Sequence, residues 1–288
     1  MLERLRREAA VQWRGMARKL SHCGFEYTLV ETDGGGRLAM RRAKRITGYV
    51  ADNCFLLTET IESTEEVSVY GRNERYEFAI TRSGNRPWTV VWQGPAGGED
   101  TPVGSAHAYL IGMLCLPWSI SAAPLDELVS DRRFSVRAVR RRSDDCVELE
   151  FAIAPADTGD NSLQGLSGGV LVLDPQRCWA IAQYHARYAQ RMATSATLTY
   201  TRPGPPELRQ VRFALRTRPK RTSDFEINVA RYDWALDPEP EITLSAFGLP
   251  EYQDPADRRW LGLVNLGMIL VVAGFMLRRH RQRRNAVG

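Results

Sequence analysis

Cysteine and histidine are scarce in this chain, at five and four among 288 residues. Cys23, Cys54, Cys115, Cys146 and Cys178 form no C-x-x-C, and His22 beside Cys23 has no nearby ligand pair. Neither a disulfide framework nor a zinc site is encoded, and no metal or cofactor is expected. Sustained charge of one sign is missing from nearly the whole length as well. The formal net charge is +5, supplied by Arg278, Arg279, Arg281, Arg283 and Arg284; ahead of them 34 basic residues balance 34 acidic ones. A neutral body lacks the basic field that nucleic-acid binding needs, so no nucleic-acid partner is expected. There is no internal repeat. With 43% hydrophobic and 25% charged residues, the composition is that of an ordinary folded chain.

Long apolar runs are also rare, and the one exception is informative. Residues 260–277 (WLGLVNLGMILVVAGFML) carry no charge and one amide, Asn265. At 1.5 Å per residue such a helix reaches roughly 27 Å, close to the hydrocarbon thickness of a bilayer. The span is built from Trp260, Leu261, Leu263, Val264, Leu266, Met268 and Ile269, then Leu270, Val271, Val272, Phe275, Met276 and Leu277. Arg258 and Arg259 bound it upstream and the five arginines bound it downstream. A single-pass transmembrane helix is therefore expected, with membrane lipid around it. The positive-inside rule keeps the arginine tail in the cytoplasm and sends the main domain outside. That topology calls for an export signal, and the start, MLERLRREAAVQWRGMARKL, shows neither an apolar core nor a cleavage site. Two arrangements stay open: an exported domain at the cell envelope, favoured by the charges, and a tail-anchored protein with a cytoplasmic domain.

The remainder reads mainly as β-structure (α+β). Residues 1–20 show a helical stripe of Leu2, Leu5, Ala9, Trp13, Met16 and Leu20, an amphipathic helix. Beyond Gly24 the period changes to two. Phe25-Tyr27-Leu29 and Leu38-Met40 flank the turn Asp33–Gly36 as a hairpin, and further short runs follow up to Trp88–Trp92. Residues 107–116 (HAYLIGMLCL) are apolar on nearly every side yet far too short to span a bilayer, which predicts a helix buried within the protein. Leu125–Val129 adds a turn. Strands resume with Val147–Ile153, Val170–Leu173, Trp179–Tyr188, Leu198–Tyr200, Val211–Leu215 and Phe225–Val229. About a dozen strands around one apolar helix predict a curved antiparallel half-barrel. The expected divisions are a domain over 1–236, a Pro-rich linker over 237–259, the membrane helix over 260–277 and a basic tail over 278–288.

This order of elements resembles the lipoprotein-carrier (LolA/LolB-like) superfamily over roughly residues 1–235. There an N-terminal helix precedes a half-barrel sheet whose concave side is plugged by helices inserted mid-chain. The resemblance rests on architecture, so it transfers no functional residue. Residues 242–251 (ITLSAFGLPE), close before an apolar helix, also resemble the C-terminus of uncharacterised bacterial membrane proteins of this type.

Catalysis is not expected. Gly165-Leu166-Ser167-Gly168-Gly169 matches G-x-S-x-G, but that nucleophile elbow needs a strand before the serine and a helix after it. Here a polar loop precedes the motif and a strand follows. Arg132–Arg142 (RRFSVRAVRRR) is the densest basic stretch of the body; it reads as a solvated strand balanced by Asp131, Asp144 and Asp145, or as a contact for lipid headgroup phosphates or an acidic partner. The remaining feature is apolar volume. A half-barrel closed by such a helix either packs solid, as an interaction module for an envelope protein, or leaves a cavity for a lipid or other hydrophobic ligand. Trp88, Trp92, Tyr109, Met113, Trp118 and Trp179 are the residues expected to line it.

Overall fold

The computed structural model describes residues 5–19, 22–33, 40–52, 54–98, 100–120, 123–155, 165–189, 192–201, 207–217, 221–233 and 241–253. The expected membrane helix, Trp260–Leu277, and the arginines that follow it lie outside the described residues. Among the described residues no helix is long and apolar enough to cross a membrane.

One π-helical turn, Leu5–Ala9, leads into α1, Ala10–Lys19. Ala9, Trp13 and Met16 recur at helical spacing and are buried, so the amphipathic stripe forms as its period predicts. Six strands follow: β1 (His22–Asp33), β2 (Met40–Ala51), β3 (Cys54–Ile61), β4 (Glu66–Arg72), β5 (Tyr76–Ser83) and β6 (Thr89–Pro95). The chain then crosses through α2 (Pro102–Leu114), a 3-10 turn (Leu116–Trp118), a two-residue bridge pairing Ser119–Ile120 with Ala123–Pro124, and α3 (Leu125–Ser130). Seven more strands complete the order: β7 (Phe134–Arg141), β8 (Val147–Ile153), β9 (Leu166–Asp174), β10 (Ala180–Tyr188), β11 (Ala193–Tyr200), β12 (Leu208–Thr217) and β13 (Arg221–Asp233).

All thirteen belong to one antiparallel sheet in the order β6-β5-β4-β3-β2-β1-β13-β12-β11-β10-β9-β8-β7. The protein is mainly β with a few short helices. It is two meanders rather than one, joined where β1 pairs with β13 through Tyr27↔Val229 and Leu29↔Ile227. The crossover with α2 and α3 therefore carries the chain from one outer edge of the sheet to the other.

One face of this sheet, called inner here, packs with α1, α2 and α3 into a single core. Phe55 and Leu57 of β3, Leu149 and Phe151 of β8, and Leu171 and Leu173 of β9 all belong to it. The other, outer face is covered over the first arm by residues 241–253. Ile242 and Leu244 are buried there against Val69, Tyr76, Phe78 and Ile80. Tyr76 accepts the Leu244 N–H at 2.9 Å and donates to the Glu251 carboxylate, while Asn73 Nδ2 donates to the Ile242 carbonyl at 2.7 Å. Much of the stretch expected as linker is thus a strap docked on the sheet. It explains why Tyr76 to Ile80 are buried without alternation: that part of β5 is covered on both faces.

Both outer strands carry a bulge. The register shifts opposite Ala79/Ile80 in β5, leaving Val91 of β6 as the extra residue, and opposite Glu150/Phe151 in β8, leaving Arg137 of β7. Bulges and charge at an edge discourage pairing with another chain, and the arginines of β7 form such an edge.

Candidate binding site

Register places the side chains of the first arm in rows across the inner face, because alternate residues of a strand point the same way. One row runs Phe25–Gly48–Leu57–Tyr70–Ala79–Trp92. It is apolar, and Gly48 leaves room for the Phe25 ring, which lies within 2.1 Å of where a Cβ would stand. The next row runs Tyr27–Ile46–Glu59–Ser68–Thr81–Thr89. The third runs Leu29–Lys44–Ile61–Glu66–Ser83. Within two rows the face changes from wholly apolar to mixed and charged.

The helix α2 lies over the apolar side of this boundary. Thr101 caps it, accepting the Gly104 N–H at 2.9 Å, and Pro102 occupies its first turn. The Thr101 hydroxyl also donates to Glu77 Oε1 at 2.8 Å. Glu77 is fully buried and pairs through Oε2 with Arg72 Nε at 2.7 Å. A buried carboxylate at a helix N-terminus is stabilised by the helix dipole as well as by the guanidinium. Next along the helix, His107 stacks on Phe55 with ring centroids 4.7 Å apart. Burial and the Arg72 charge hold the His107 imidazole below its usual pKa.

The buried face of α2 is Val103, Ala106, Leu110 and Leu114. Among the described residues nothing encloses its other side: Ser105 and Ala108 are exposed, and Tyr109 is 36% exposed. The expectation of a helix buried within the protein is thus corrected to a helix buried on one face. Its apolar residues outnumber what that face can use. At the uncovered flank the Tyr27 hydroxyl donates to the Tyr109 hydroxyl at 3.3 Å. Burial, above all, raises both phenols' pKa, and the nearby Glu59 carboxylate adds to it. They are hydrogen-bond donors throughout the physiological range. Beside them Lys44 Nζ stands 3.5 Å from Glu59 Oε2, with side chains 34% and 19% exposed.

Beneath the C-terminal half of α2, Phe25, Tyr27, Met113, Leu116, Ile227 and Tyr232 enclose a void of only about 10 Å³. That is no larger than one water probe. A wider groove of about 610 Å³ lies across β1 and β11–β13, lined mainly by outer-face residues including Thr32, Ser195, Thr197, Arg212, Asp224 and Glu226. It offers hydroxyls and both signs of charge.

The six residues expected to share a cavity do not converge. Trp92, Met113, Trp118 and Trp179 join the inner core, and Tyr109 sits on the open flank of α2. Trp88 belongs to the outer face, where Phe247 of the strap meets it edge-on at 5.4 Å and Arg82 lies 4.5 Å over its ring. Trp118 buries its indole N–H without an acceptor among the described residues. Trp179 uses its carbonyl to accept the Trp13 indole N–H at 3.1 Å, which fixes α1 to the β9–β10 turn.

Tyr109 was singled out from sequence, but Lys44, Glu59 and Tyr27 were not. A signal existed: Glu59 falls in phase with Phe55, Leu57 and Ile61, a charge at an inward-facing position of a strand. At the G-x-S-x-G segment, Ser167 is exposed on β9 and donates to the Arg187 carbonyl at 2.9 Å, with a strand after it and no helix. Among the described residues no group of histidine, cysteine and carboxylate side chains is placed to hold a metal ion.

The chain matches no protein-family model and no curated protein sequence. Among solved structures it is similar to a domain assigned to outer-membrane lipoprotein sorting from Vibrio parahaemolyticus. That likeness has a TM-score of 0.45 and 9% identity, covering 84% of this chain and 97% of the other. A DUF1329 family protein from Desulfovibrio piger gives a TM-score of 0.44 at 9% identity, covering 80% of this chain and 93% of that one. A LolA superfamily protein from Nitrosomonas europaea gives 0.39 at 8% identity, covering 79% and 94%.

Proposed function

We propose that this is a non-catalytic, membrane-anchored domain of the cell envelope that binds a lipid or similar amphiphile between α2 and the inner face of a curved, half-barrel sheet. The observation that carries the reading is α2 itself. Its thirteen residues include no charged side chain, yet only Val103, Ala106, Leu110 and Leu114 are buried. An uncharged helix with one flank in solvent keeps apolar surface where a plain structural helix would carry charge. A plug that separates from the sheet to admit an apolar chain has use for that composition on both sides. The void of about 10 Å³ is the closed state of such a site, so entry requires α2 to move. Residues 260–277 and the arginines after them support the anchor through length and flanking charge.

Native mass spectrometry of the full chain in detergent tests this. A co-purifying or exchangeable lipid is the expected result, and a chain that stays ligand-free when offered lipid overturns it. The small size of the same void favours a second reading, an envelope interaction module with a solid core. Its surface would be the outer groove, and Arg212→Glu with Glu226→Arg would then release a protein partner without altering lipid content.

A further inference from the structure

We infer that the Lys44–Glu59 ion pair and the Tyr27–Tyr109 hydroxyl pair form a headgroup site that selects zwitterionic amphiphiles. The inference rests on the amphiphile reading above and specifies which chemical class the site takes.

The four groups stand where an amphiphile's polar end has to emerge. Tyr27 is both a wall of the small void under α2 and the hydroxyl donor to Tyr109 at the helix's open flank. An apolar chain drawn under α2 would leave its head beside that flank, on the row that contains Glu59 and next to the row that contains Lys44. Both signs of charge are present there and neither dominates. A zwitterion presents the complementary pair: its ammonium to Glu59, its phosphate to Lys44, with phenol protons available to the phosphate oxygens.

The existing contacts are weak enough to exchange. The ion pair spans 3.5 Å with both partners partly solvated, and such pairs contribute at most about 1 kcal/mol. The hydroxyl bond is 3.3 Å long, well beyond the usual O–H···O separation. Tyr27 donates in it, which leaves the Tyr109 proton for another acceptor. A ligand carrying one charge alone would satisfy half of the pair and leave its partner opposed, which penalises both anionic and cationic heads.

The test offers the full chain in detergent two lipids with identical acyl chains, phosphatidylethanolamine and phosphatidylglycerol, and reads retention by native mass spectrometry. Wild type should retain the ethanolamine lipid about fivefold better, the scale of one partly exposed ion pair. Glu59→Gln removes the ammonium's partner and leaves Lys44 unopposed, so the preference should invert. The double swap Lys44→Glu with Glu59→Lys should restore it. Tyr109→Phe removes the hydroxyl at the open flank and keeps the ring, and should lower retention of both lipids. Equal retention by wild type, a preference unchanged by Glu59→Gln, or retention of both lipids unchanged by Tyr109→Phe overturns the headgroup site and leaves the amphiphile reading standing. Retention of neither lipid overturns both.

Discussion

A methyl group placed on Gly169 would stand 2.1 Å from the His185 carbonyl oxygen, and one on Gly168 2.6 Å from that of Phe151. Gly168 and Gly169 therefore let β8, β9 and β10 approach around a bulge, with Gly168 at φ +146°. Gly169→Ala should lower unfolding free energy by about 3 kcal/mol, the scale of a backbone clash in a sheet interior. Ser167→Ala should change it by less than about 0.5 kcal/mol, since the side chain is exposed. Urea denaturation of the two variants checks both values. His107 offers a pH test. Its folded pKa is lowered by burial and by Arg72, so folding excludes a proton the unfolded chain would take. The stability this represents is complete above the unfolded value near 6.5 and is lost as pH falls through the folded one. Stability measured between pH 7.5 and 5 should fall less steeply in His107→Asn than in wild type.

At the scale of elements, α2 is tied at its first turn to the buried Arg72–Glu77 pair through Thr101. Removing one partner from the buried Arg72–Glu77 pair leaves the other charge uncompensated, at a cost of about 3–5 kcal/mol. Glu77→Ala should therefore destabilise by that amount and speed hydrogen exchange across 102–114 more than across β9. The elements themselves were largely legible. The stripe of α1, the hairpin of β1 and β2, and the alternation of Val147–Ile153 each follow from a local period. What was not legible depends on distant partners. No turn connects β1 to β13, so nothing local signals that they pair. The strap was hidden because proline and acidic residues around it read as linker, while Ile242, Leu244 and Phe247 are too few to show a period. Trp88 illustrates the same limit. It precedes β6 rather than lying in it, so alternation could not say which face its ring would join. The charged half of the proposed site escaped because lysines and glutamates on strands usually mark the wet face, and here they mark the margin of an inner one.

For the whole molecule, the outer surface divides into a sealed half and an open one. Over β2–β5 the strap buries an aromatic layer; over β11–β13 alternating Arg212, Thr197 and Glu226 remain in water. Leu244 is fully buried, and Leu244→Ala should cost about 2–4 kcal/mol as a cavity in that layer. The lost strap contact should appear as greater dye binding to exposed apolar surface and a lower Tm. The edges predict solution behaviour. Replacing the bulged Arg137 by valine gives β7 a flatter apolar margin, and analytical ultracentrifugation should then show self-association absent from wild type.

The seam between β1 and β13 has a consequence in time. Its partners are about two hundred residues apart, Tyr27 with Val229 among them. Contacts this distant close late, because a long stretch of chain must be ordered or held before they repay the loop. During synthesis β1 therefore waits as an unpaired margin until nearly the whole domain has emerged, and β12 waits with it. Shortening the chain before Arg221 would leave both without their common neighbour, so truncated products should aggregate rather than persist as half-domains.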